Sequence, residues 1–287
     1  MTINTKNNTA WILPHAFARI AIHHSIPSTN SRIVNSHPHL IFPYRRVHPA
    51  CTALRMATSL SSDSAKAVFP ISTKTPEEKK QAEDALAAYF GKSASRDQIV
   101  WYLKDRKYDE DEAIEKLQKR LDWERDMADP NLIDQATVDA ELLVKKSFFY
   151  PKRDKLGREV VMVRACKHVI GEFPHDSSRK AIKKVMDDAV NKLTEPDRQT
   201  LLCVVDLRGF SVRNADFKLA LFLIDVFFVY YPRRLGRLLF VDAPIVFIPT
   251  WNAVKPLIGK YAELVTFVKA SQVKDYFNPG DVPPDFA

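Results

Sequence analysis

The spacing of apolar positions changes period near residue 150, and the two stretches it separates predict different structures. From about residue 75 the period is helical. Thr75, followed by Pro76 and Glu78, makes a capping box with proline at the first helical position, and predicts a helix running to Gly91. Ser95 with Gln98 opens a second helix into QIVWYLKDRKY. Asp109 with Glu112 opens a third, along which Ile114, Leu117 and Leu121 share one face. DPNLID at 129–134 breaks this small bundle.

Past Tyr150 strands and helices alternate. REVVMVRA (158–165) follows the turn DKLG and reads as a strand. Ile182, Val185, Met186, Ala189, Val190 and Leu193 recur at helical spacing. TLLCVVDLRG (200–209) and RLLFVDA (237–243) are continuous apolar strands, separated by a helix over 217–231. Strands of that kind, alternating with helices, need both sheet faces covered and argue for a mostly parallel sheet. The predicted fold class is therefore α/β, a small N-terminal helical bundle followed by a mostly parallel sheet domain.

The 217–231 helix has 13 apolar residues in 15. At 1.5 Å per residue it covers only about 22 Å, short of the roughly 30 Å hydrocarbon core of a bilayer. Lys218 and Asp225 further oppose insertion, so it reads as a helix buried against the sheet.

Charge divides the chain differently. The formal charge is +8, yet no Asp or Glu precedes Asp63, while Lys6, Arg19, Arg32, Arg45, Arg46 and Arg55 do. Only +2 remains over residues 63–287, which argues against a nucleic-acid partner. Residues 1–57 are acid-free and rich in Ser, Thr and Asn, the composition of a targeting segment. Pro14, Pro27, Pro38, Pro43 and Pro49 break the long amphipathic helix of a mitochondrial presequence, so a plastid transit peptide fits better, with cleavage expected between Cys51 and Ala57. A disordered tail and an internal start at Met56 are the alternatives. The expected organisation is a transit peptide over 1–57, a linker over 58–74, a helical lobe over 75–135 and the sheet domain over 136–287, with a chloroplast address. Cys51, Cys166 and Cys203 have no disulfide or metal spacing, which points to a reducing interior.

Candidate chemistry is sparse. No two of the seven glycines lie within ten residues, which excludes a P-loop and a dinucleotide fingerprint. Neither GxSxG nor HExxH occurs, and His168 and His175, the histidines outside the basic segment, suggest neither a metal site nor acid–base work. Asp206 and Asp242 follow apolar strands, where parallel sheets place ligand crevices. Each can equally hydrogen-bond the turn that follows it, in DLRG and in DAP. No catalytic residue, metal or cofactor is expected. The stretch YYPRRLGRLLFVDAP, Tyr230 to Pro244, sets Arg233, Arg234 and Arg237 between apolar segments. They can meet phosphate, at a pocket lip or on a membrane, or solvate a turn. Either role places them outside the core.

Several segments together resemble the CRAL-TRIO family. QIVWYLKDRKYDEDEAIEKLQKRLDWERD is similar to its N-terminal lobe, of general form LLRFLRARKFDVEKAxxML. DKLGREVVMVRACKH resembles its first strand. LLCVVDLRGFSVRNAD and YYPRRLGRLLFVDAPIVFIPTWNAVKPLIG resemble its central signature, so the likeness covers about residues 80–286. It implies a lipid-binding fold with a hydrophobic pocket closed by a mobile gate helix, on which Phe247, Trp251, Val254 and Ile258 form the apolar face. In the phosphatidylinositol-binding branch a Glu follows YYP and a Lys lies about nine residues beyond KP. Here these positions are Arg233 and Val265, so the inositol-specific pair is missing. The resemblance implies a non-enzymatic carrier, expected to be a monomer in peripheral contact with anionic membranes, and the basic segment over 1–57 makes those membranes plastid ones. Its ligand would be an anionic phospholipid, such as phosphatidic acid or a phosphoinositide, or an isoprenoid such as a carotenoid. The alternative is a lipid-sensing regulatory or scaffold module.

Overall fold

In the computed structural model the described residues are Phe69, 71–194 and 199–287. The expected transit peptide and most of the linker lie outside them. Helix α1 (Pro76–Phe90) and α2 (Arg96–Asp105) begin with the capping boxes of Thr75–Glu78 and Ser95–Gln98, and the Asp109 side chain caps α3 (Glu110–Ala128). Each cap satisfies backbone N–H groups that the first helical turn leaves without a partner. Leu86, Ile99, Leu103 and Leu117 are almost wholly buried and join the three helices.

Helix α4 (Gln135–Leu143) and strand β1 (Ser147–Tyr150) follow, then β2 (Glu159–Arg164), α5 (His175–Val190) and β3 (Leu201–Asp206). Next come α6 (Phe217–Asp225), β4 (Leu235–Val241), α7 (Ile248–Ile258) and β5 (Val265–Val268). The apolar periodicity predicts neither α4, β1 nor β5, each nine residues or shorter. The sheet has five strands in the order β1-β2-β3-β4-β5, with β1 antiparallel and the others parallel. No helix among the described residues is long and apolar enough to cross a membrane.

Strand alternation gives the sheet two different faces. Val160, Met162, Leu202, Val204, Leu239 and Val241 point to the back, where Val273, Phe277 and Phe286 from the C-terminal segment cover them. All nine are buried, each contributing about 1.5–3 kcal/mol if fully withdrawn from water. The front residues, offset by one, face the helices. Between β3 and β4 the register shifts: Leu201 pairs with Leu235 but Leu202 with Arg237, leaving Gly236 as the extra residue of a bulge. A Cβ there would stand 2.6 Å from Thr200 Oγ1 and 2.9 Å from Thr200 Cβ, so the site requires glycine for close approach.

The helix expected over 217–231 stops at Asp225 and continues as a π-helical turn, Val226–Tyr230. Carbonyls of this turn, and that of Pro232 just beyond it, find partners in the N-terminal helices. Tyr102 Oη donates to Val229 O (3.0 Å) and Tyr230 O (2.9 Å), Arg120 Nη1 to Tyr230 O (3.1 Å), and Trp101 Nε1 to Pro232 O (2.6 Å). Arg120, 7% exposed, also pairs with Glu124 and lies over the Tyr231 ring at 4.1 Å. The wider turn is thus stabilised from outside the helix, which local periodicity does not reveal.

Candidate functional site

Between the front of the sheet and helices α5–α7 lies a cavity of about 260 Å³. Its floor is the front set of strand residues: Val161 and Val163, Cys203 and Val205, Leu238 and Phe240. Burial pushes the Cys203 thiol up to about 12, so it stays protonated and acts as an apolar surface. Ala181, Val185 and Met186 of α5 form one wall, and Leu219, Leu223 and Phe227 of α6 and its π-turn form another.

Helix α7 closes the third side. Phe247, Trp251, Val254 and Ile258 all line the cavity, at the i, i+4, i+7, i+11 spacing of one helical face. Phe247 meets Phe240 at 4.8 Å between ring centroids, and Trp251 meets Phe240 at 5.5 Å and Phe267 at 5.6 Å. No side chain caps the N-terminus of α7, and Pro256 interrupts its hydrogen-bond ladder. The contacts that hold α7 over the cavity are apolar and non-directional, the condition for a wall that can move without breaking buried polar bonds.

One end of the cavity is polar. Glu141 accepts hydrogen bonds from Ser177 Oγ and Ser178 Oγ, both at 2.6 Å, and from Lys146 Nζ at 3.1 Å. Lys146 also approaches Glu172 at 3.8 Å and lies over the Phe173 ring. Arg164, beside it, is bound to Asp285 Oδ2 through Nε (2.9 Å) and Nη2 (2.7 Å). Asp216 caps α6 by accepting from Leu219 N at 2.9 Å, and its other oxygen holds His168 Nε2 at 3.1 Å. Burial raises the Asp216 carboxyl, but these two bonds outweigh it and hold the group below its ordinary range. Asn214 Nδ2 donates to Cys166 O and His168 O and so fixes the loop that presents His168.

Sequence reasoning reached the α7 face and missed the polar end. Glu141 and Lys146 come from one segment and Asn214 and Asp216 from another, and the two meet only in the fold. Nor does the sequence around His168 signal its pairing with Asp216, 48 residues away.

None of Arg233, Arg234 and Arg237 lines the cavity. Arg233 Nη1 donates to Lys104 O at 2.9 Å, and its guanidinium lies 4.9 Å from the Phe69 ring centre. Arg234 stacks 3.4 Å over Trp101 and donates to Gln199. Arg237 Nη1 donates to Thr266 Oγ1 at 3.0 Å. Burial lowers all three, Arg234 to about 10. They are therefore structural, not charges outside the core: Arg233 and Arg234 tie the YYP turn to α2, and Arg237 bridges β4 to β5. Val265, at the family's lysine position, does line the cavity.

Asp206 and Asp242 lie outside the lining too. Asp206 accepts from the backbone and guanidinium of Arg208, and Asp242, at φ 46°, accepts from Ala270 N. Asp206 serves the turn after its strand, whereas Asp242 ties the end of β4 to the segment that follows β5.

A five-stranded, mostly parallel sheet with an apolar cavity under its front helices defines an α/β fold that encloses a ligand-sized space. The chain belongs to the CRAL/TRIO domain family, whose domain matches residues 143–286. It is 27% identical over 200 residues to the CRAL-TRIO domain-containing protein C3H8.02 of Schizosaccharomyces pombe, covering 66% of this chain and 44% of that protein. It is 33% identical over 151 residues to the phosphatidylinositol transfer protein CSR1 of Eremothecium gossypii, covering 46% of this chain and 34% of that one. The chain thus spans less than half the length of these two relatives. The crystal structure of Sfh5 superposes with a TM-score of 0.53 at 15% identity, over 71% of this chain and 85% of that one, which shows a shared fold.

Proposed function

We propose that this protein is a lipid carrier, a binding protein without turnover that holds one hydrophobic or amphiphilic molecule in the cavity and moves it between membranes. The observation that carries this reading is the cavity itself, apolar on its floor and two walls and closed by a helix held through apolar contacts. The relative named as a phosphatidylinositol transfer protein supports it. Ile245, Ile248 and Leu257, in and before α7, are exposed, and no Asp or Glu occurs between Pro244 and Ala262, where Lys255 and Lys260 lie. That combination suits an anionic membrane surface.

Mass spectrometry of an organic extract of the purified protein should find one lipid per chain, and the protein should move that lipid between vesicles. Trp251→Ala removes apolar wall without altering charge, and should release the ligand several-fold faster while vesicle docking persists. A protein that is empty and also fails to transfer lipid sinks the reading.

We also propose delivery to plastids, supported by the acid-free, proline-broken composition of residues 1–57. Fused to a fluorescent reporter, residues 1–62 should reach the stroma; a cytosolic or mitochondrial signal would defeat this.

A further inference from the structure

The two ends of the cavity differ in chemistry, and the strand register sets them apart. Arg164 pairs with Asp206 at one end of the sheet, where Lys146 also lines the space, and Leu201 pairs with Leu235 at the other. From Leu201 to Asp206 the strand runs roughly 16 Å, at about 3.3 Å per residue. Phe228, Leu235, Tyr261 and Val265 line the Leu235 end. An apolar chain is therefore accommodated there, and a polar group at the opposite end.

The Leu235 end is backed by a residue from outside the lining. Phe228 and Tyr261 stack with ring centres 4.5 Å apart. Behind them lies Phe69, only 8% exposed, its ring centre 6.2 Å from that of Tyr261. It buries with Cys203, Leu235 and Leu264, while Arg233, anchored on the Lys104 carbonyl, lies over its ring. Phe69 falls in the stretch that the sequence reads as a linker, so a segment outside both expected domains supports the cavity wall. A wall is only as fixed as what packs behind it, and truncating Phe69 gives Phe228 and Tyr261 room to withdraw.

Resting on the carrier reading above, we infer that Phe69 determines specificity: it fixes the stop against which the apolar end of the ligand rests, and so sets the length of chain that the cavity holds. The ligand lies along the strands, with its polar end toward Lys146.

The test uses saturated monoacylglycerols of graded chain length, which displace the fluorescent polyene cis-parinarate from the full chain. In the unaltered protein each added methylene should tighten binding by about fourfold until the chain meets the stop, and no further. Phe69→Ala should move that optimum outward by about two methylenes, so that the longer probe binds roughly tenfold more tightly to the variant while shorter ones bind both proteins equally. Phe69→Leu, which restores part of the volume, should shift it less. Phe90→Ala removes a buried ring from the core of the helical lobe and should cost stability without moving the optimum. A folded Phe69→Ala protein with an unchanged optimum overturns the inference and leaves the carrier reading standing. Should Phe69→Ala fail to fold, Phe69→Leu decides by the same criterion. If no monoacylglycerol binds, the inference fails, and the carrier reading fails with it only when the protein also extracts nothing from vesicles.

Discussion

Val205→Trp is expected to lower ligand capture by at least a hundredfold while the protein remains folded. Val205 sits on the cavity floor near the C-terminal end of the central strand, and an indole there occupies much of the roughly 260 Å³ that a ligand needs. Because the added atoms enter existing space, the cost in stability should stay near the low end of the 1–3 kcal/mol usual for overpacking. The adjacent Val204 faces the back and is fully buried, so Val204→Ala supplies the contrast: stability lost, capture kept. Thermal melts with lipid loading separate the two. A Val205→Trp protein that loads normally would show that the ligand sits elsewhere.

Arg120→Ala should have the largest effect on stability, a loss of about 3 kcal/mol, the lower end for breaking a buried ion pair. Arg120 pairs with Glu124 one turn on in α3, joins α3 to the Tyr230 carbonyl and the ring of Tyr231, and approaches Asp187 at 3.6 Å. Asp187 keeps Tyr231 Oη and Lys183 after the change, which limits the penalty. For a chain of this size the melting temperature should fall by about 6–12 °C. The π-turn, with one carbonyl partner gone, should become more open to proteolysis near Val229. A melting temperature within 2 °C of the unaltered protein would show that the N-terminal helices do not clamp this turn.

Features written in local spacing were legible in the sequence. The caps at Thr75, Ser95 and Asp109 lie within four residues of what they bind, and the α7 face is a run of one helical period. The three central strands were legible because burial on both faces leaves continuous apolar runs. The polar end was not, since His168 and Asp216 lie 48 residues apart and Glu141 and Ser178 lie 37 apart. The arginines show the opposite failure: YYPRRLGR looks exposed in sequence, but Trp101, contributed by α2, covers Arg234. Charge alone does not say which side chain from elsewhere will lie on top of it.

Strand order along the sheet is also strand order along the chain, which bears on how the protein is made. As the polypeptide leaves the ribosome, β2, β3 and β4 each meet a neighbour already synthesised, and no strand has to be inserted between two others. Residues 270–286 emerge after every strand, yet they carry Val273, Phe277 and Phe286, which cover the back of the sheet. Until then the nascent domain exposes an apolar sheet face, so its exposure to aggregation and chaperone capture lasts until this segment docks.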